Sequence, residues 1–69
     1  MDYRKRLYDL RIDNDLRQED VGRILEISGQ AYGMYENGKR CLPIESLMVL
    51  CKFYNVSADY ILGLSDNKW

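Results

Sequence analysis

"LRQEDVGRILEISGQAYGMYENGKR", residues 16–40, decides how the rest of the chain is read. Its first part carries Val21, Ile24 and Leu25 at the three- and four-residue spacing of one apolar helical stripe, with Glu19 and Asp20 in the first turn, where negative charge complements the helix dipole. Residues 26–28 interrupt the pattern. Ser28 then stands where its hydroxyl accepts a hydrogen bond from the backbone two or three positions on, which starts a second helix. Tyr32 and Tyr35, at i and i+3, turn one face of that helix inward, and Gly38 ends it in the left-handed conformation that other residues adopt only at a cost. The expectation is two short helices joined by a three-residue turn.

Outward from this pair the chain continues in helical pieces. Asp2 is an N-cap for a first helix that carries Tyr3, Leu7, Leu10 and Arg11 on adjoining turns and breaks at "DND", residues 13–15. After residues 39–42, Pro43 opens a fourth helix with Ile44, Leu47, Leu50, Cys51 and Tyr54 on one face. Ser57 caps a last short helix whose Ile61 and Leu62 close the core, and Gly63 stops it. No alternating strand pattern occurs. The sequence therefore predicts an all-α domain of five helices over residues 1–64 and a C-terminal tail over 65–69.

Composition narrows the function classes. A 69-residue chain forms one domain, which withdraws only about 60% of its unfolded surface from water. Ten basic and eleven acidic residues give a net charge of −1, so any binding of a polyanion depends on local charge, not on a long-range field. There is no histidine, and Cys41 and Cys51 stand ten residues apart, the second within an apolar pattern; they read as reduced thiols, with no metal site and no cofactor. Without histidine or a phosphate-cradling glycine loop, the catalytic inventory does not suggest an enzyme. No stretch approaches the roughly 18 apolar residues of a membrane span, and "MDYRKRLYDL" lacks a signal peptide's apolar run. A soluble, cytoplasmic protein with no membrane partner and no evident small-molecule ligand is expected.

The segments "LRQEDVGRIL", "IS", the tyrosine pair, "YENGKR", "LPIESLMVLCKFYNVS" and "ADYILGL", in this order and spacing, resemble the helix-turn-helix domain of phage Cro proteins and repressors and of the xenobiotic-response-element (XRE) type of bacterial regulators. The resemblance covers nearly the whole chain. It implies a compact five-helix bundle of the lambda-repressor-like DNA-binding type, with the helix-turn-helix formed by helices 2 and 3, and a transcriptional regulator that reads double-stranded DNA. It further implies that Gln18 contacts phosphate or supports the reading helix, that Gly29, Gln30, Gly33 and Met34 read bases, and that Arg11 pairs with Glu36 to fix the reading helix. Three residues depart from the family pattern. Glu26 replaces a turn glycine, Arg17 a Ser or Thr cap, and Tyr32 a smaller aliphatic residue; a left-handed Glu26 costs roughly 1 to 2 kcal/mol.

Geometry adds to this reading. Inward-facing Tyr32 and Tyr35 place Gly29, Gln30, Gly33, Met34 and Asn37 on the outer side, the side that a helix in the major groove reads with. Gln30 suits a bidentate contact to adenine and Met34 a thymine methyl; Gly33 allows close backbone approach to the groove, and Gly22 allows close packing of the two motif helices. Arg17, Gln18, Asn37, Lys39 and Arg40 are the expected phosphate contacts. The expected function is a repressor that binds a short palindromic operator as a homodimer, with Tyr60, Leu64 and Trp69 as candidates for the dimer interface. The alternative is a protein-interaction module on the same fold, which the acidic balance and the thin hydrogen-bonding face support. A basic face free of carboxylates separates the two.

Overall fold

The computed structural model describes residues 2–69 and contains α1 (Tyr3–Asp13), α2 (Gln18–Ile24), α3 (Gly29–Asn37), α4 (Ile44–Tyr54) and α5 (Ala58–Leu62). Among the described residues there is no strand, and no helix is long and apolar enough to cross a membrane. Local chemistry sets most of the boundaries. The Asp2 carboxylate accepts from the Arg4 N–H at 3.0 Å, the Ser28 hydroxyl from Ala31 at 3.0 Å and the Ser57 hydroxyl from Tyr60 at 3.1 Å. Gly38, Asn55 and Gly63 end α3, α4 and α5 with φ of 78°, 56° and 79°. Pro43 lies one residue ahead of α4 and flanks the helix instead of forming its first position.

The apolar stripes converge on one core made by Leu7 and Leu10 of α1, Val21 of α2, Tyr32 and Tyr35 of α3, Leu50 of α4, Val56 in the connection to α5, and Ile61 of α5. Tyr32 is fully buried and meets Tyr35 edge to face, with ring centroids 6.4 Å apart. Two expected core residues behave differently. Ile44 and Leu62 are 70% and 38% exposed; with Tyr3, Cys41, Leu42 and Leu47 they line a groove of about 250 Å³. Ile44 is the first residue of α4, and Leu47 and Leu50 on the same stripe reach the core before it does.

Residues 65–69, read from the sequence as a tail, are bonded back to the domain. The buried Arg6 guanidinium donates to the Tyr60 carbonyl at 2.9 Å, the Ser65 carbonyl at 3.2 Å and the Asp66 carboxylate at 2.9 Å, and stacks 4.0 Å above the Tyr60 ring. At the far end, the Ser57 N–H donates to the Lys68 carbonyl and the Trp69 indole N–H to the Asn55 carbonyl at 2.7 Å.

Candidate nucleic-acid interface

Two glycines set how closely α2 and α3 pack at their turn. A Cβ on Gly22 would lie 2.8 Å from the Ser28 carbonyl carbon and oxygen, and a Cβ on Gly29 would lie 2.7 Å from the Glu19 Cα. Both distances are shorter than real Cβ contacts, so the two helix backbones touch because these positions are glycine. Glu26, at φ 62°, supplies the left-handed residue of the turn despite its side chain.

This packing corrects the outward placement of two residues. Gly29 faces the α2 backbone, and Gly33 is buried under the Gln18 side chain, whose amide oxygen is 3.1 Å from where a Gly33 Cβ would be. Neither position lies on the free face of α3, because α2 covers the side of the helix that the tyrosines leave open. Gln30 and Asn37 are exposed and Met34 is half-buried. Those three make up what remains of the expected reading face.

Gln18 also points inward. Its amide donates to Glu36 Oε1 at 3.4 Å, beside the Arg11–Glu36 pair, in which Arg11 Nε donates to Oε2 at 2.7 Å and Nη2 to Oε1 at 3.2 Å. The side chains of the pair are only 11% and 5% exposed, and Arg11 Nη1 also donates to the Leu16 carbonyl at 2.9 Å. The hydrogen bonds to Glu36 hold the Arg11 guanidinium above its ordinary pKa. α3 is thereby strapped to α1 by a charge-assisted fork. Nearby, the Tyr32 and Tyr54 hydroxyls are buried without a hydrogen-bond partner among the described residues. Burial first, then the neighbouring Glu36 carboxylate, push both phenols up, Tyr54 to about 12.

The cations divide into two groups. Arg17, ahead of α2, has no acceptor with which to cap the helix; the Asp20 carboxylate instead accepts from its backbone N–H at 2.8 Å, half of a capping box. Its guanidinium pairs with Glu19 at 2.7 Å and with Asp20 at 3.4 Å, and Asp20 reaches Arg23 at 3.5 Å. The backbone bond to Arg17 and then its side chain lower the Asp20 carboxyl below its usual range. Lys39 and Arg40 follow Gly38 in a tight reversal in which both N–H groups donate to the Met34 carbonyl, at 2.9 and 3.3 Å. Neither has a carboxylate within ion-pairing distance among the described residues. At the end of α3, Lys39 and Arg40 therefore stand without a paired carboxylate, whereas at the start of α2 Arg17 is closed over by Glu19 and Asp20.

The helix-turn-helix family model matches residues 7–61, from the middle of α1 into α5. An uncharacterized HTH-type transcriptional regulator of Bacillus subtilis, YobD, is 38% identical over 94% of this chain and 58% of its own. The HTH-type transcriptional activator BcrR of Enterococcus faecalis is 34% identical over 91% of this chain and 31% of its own. The transcriptional repressor RstR of the cryptic phage CTXphi of Vibrio cholerae is 33% identical over 78% of this chain and 49% of its own. The chain thus spans only 31 to 58% of the length of these relatives. No solved structure matches it. With the paired helices, their glycine-built turn and the Arg11–Glu36 fork all inside the matched region, the chain belongs to the helix-turn-helix family of Cro/repressor and XRE type, DNA-binding transcriptional regulators with a lambda-repressor-like fold.

Proposed function

We propose that the chain represses transcription by seating α3 in the major groove of a short palindromic operator, as a homodimer. The observation that carries this reading is the free edge of α3, where exposed Gln30 and half-buried Met34 lead to exposed Asn37 and the unpaired Lys39 and Arg40. The Gln30 amide makes no hydrogen bond with the other described residues; paired with an adenine edge it contributes about 1 to 3 kcal/mol of discrimination. Met34 meets a thymine methyl. Asn37, Lys39 and Arg40 hold the phosphates beside the groove. Gln18 acts from within, by bracing Gly33 and Glu36.

One such module makes few base contacts. Two copies related by a two-fold axis place their reading helices about 34 Å apart, one turn of DNA. Tyr60 lies beneath Arg6, whereas Leu64 and Trp69 are 73% and 82% exposed. With the groove containing Ile44 and Leu62, the latter two offer apolar surface to a second copy. Repression follows from occupancy alone where an operator overlaps a promoter. Because one relative is named an activator, a promoter fusion tests the direction: its output falls when the protein is supplied, and a rise would reverse this part of the reading.

The decisive experiment is a mobility-shift assay on fragments from upstream of the protein's own gene, at two salt concentrations. A specific complex at low salt is expected, and Gln30→Ala should relax base preference at one position per half-site without changing the salt dependence. No specific complex at low salt sinks the proposal. The second reading, a protein-interaction module, draws on the Glu19 and Asp20 carboxylates closed over Arg17; it gains if no fragment is preferred.

A further inference from the structure

Of the three consecutive cations "RKR" at residues 4–6, each is used differently. Lys5 pairs with Asp9 at 2.9 Å along α1, and Arg6 is buried against α5 and the last residues of the chain. Arg4 turns the other way. A Cβ on Gly38 would lie 2.9 Å from the Arg4 Cζ and 3.1 Å from its Cδ, so the Arg4 guanidinium lies across the turn that carries Lys39 and Arg40. Arg4, Lys39 and Arg40, far apart in sequence, thus meet at one corner of the molecule, the corner where α3 ends.

We infer that Arg4 is a further DNA-phosphate contact, contributed by α1 and held in position by Asp2. The inference rests on the DNA-binding reading of α3 given above. Arg4 Nε lies 2.9 and 2.8 Å from the two Asp2 oxygens, Nη2 bonds the same carboxylate, and the two side chains are 43% and 44% exposed. A guanidinium fork that fits a carboxylate also fits a phosphodiester. Phosphate replaces Asp2 on the fork, while Asp2 keeps its bond to the Arg4 N–H and goes on capping α1. Gly38 is favoured in this arrangement by its left-handed φ of 78°, and its missing Cβ leaves the space that the Arg4 side chain occupies.

The test measures binding to the operator duplex and to an unrelated duplex over a range of salt, for wild type, Arg4→Gln and Arg4→Lys. Arg4→Gln should weaken both duplexes by a similar factor and lower the log-log salt slope by about 0.9 per bound protomer. Arg4→Lys, which keeps the charge, should restore most of the slope. An unchanged slope in Arg4→Gln, or a loss confined to the operator, overturns the assignment even though wild type binds. If wild type itself forms no salt-dependent complex, the DNA-binding reading fails first. Asp2→Asn keeps an equivalent cap and releases the fork; it should tighten binding several-fold when Arg4 is present and less when it is Gln. Equal tightening in both backgrounds would overturn the part assigned to Asp2. Circular dichroism melts check folding, and if Arg4→Gln melts early the comparison of Arg4→Lys with wild type carries the test: an altered slope there contradicts a charge contact.

Discussion

The two ends of the helix-turn-helix are made in opposite ways. At the leading end, Gly22 and Gly29 bring the backbones of α2 and α3 into contact, and the charges of Arg17, Glu19, Asp20 and Arg23 cancel within one network. At the trailing end, a left-handed Gly38 throws Lys39 and Arg40 out of the helix unpaired, with Arg4 laid across the turn. Basic residues occur at both ends of the motif in the sequence, yet only at the trailing end are they left for a ligand. An exposed ion pair is itself worth only about 0 to 1 kcal/mol. What separates the ends is that Glu19 and Asp20 remain beside any phosphate that Arg17 approaches, while no carboxylate attends Lys39 and Arg40.

That contrast breaks most completely when the strut shared by both ends is removed. Arg11→Leu leaves Glu36 buried without its partner and should cost about 3 to 5 kcal/mol, measured by urea unfolding. The double variant Arg11→Leu/Glu36→Leu should recover most of the loss; a single-variant cost below about 1 kcal/mol would show that the fork is not what holds α3. Next comes the contrast itself, read in DNA binding. Lys39→Ala should weaken every duplex and lower the salt slope by about 0.9 per protomer. Arg17→Ala should change the slope far less, and equal changes in the two variants would erase the distinction between the ends.

The smallest effect lies behind α3, at Tyr54. Its phenol ionises near 10 in the unfolded chain and only at about 12 when folded, so the stability tied to its neutral form is complete below pH 10 and is lost as the pH rises towards 12. Tyr54→Phe should flatten that alkaline decline. At neutral pH it should change stability by less than about 1 kcal/mol, or raise it, since the hydroxyl lacks a partner. An unchanged alkaline decline would show that another group titrates there.

Caps and stops were readable because their chemistry spans three or four residues: Asp2, Ser28 and Ser57 start helices, and Gly38 and Gly63 end them. Tyr32 and Tyr35 were readable by periodicity. The same periodicity turns Gly29 and Gly33 outward, because it registers only apolar cover, and the cover on that side is the α2 backbone and the Gln18 side chain. The charge of Arg17 is plain in the sequence, but its pairing is a matter of side-chain direction, for which Glu19 and Asp20 two and three positions on were the available signal. The contacts of Arg6 and the approach of Arg4 to the Gly38 turn had no local signal. Their partners at Tyr60, Asp66 and Gly38 come near only when the chain has folded.

The glycine contacts between α2 and α3 also bear on how the few reading residues proposed for α3 could suffice. A joint closed backbone to backbone has no rotamers to freeze, so in the proposed complex α3 would dock already oriented, and little ordering entropy would be lost on association. A contact surface that starts rigid converts a larger share of each hydrogen bond into affinity. In the proposed complex Gln30 would then act from a fixed mount, and a wrong base would leave its amide unpaired.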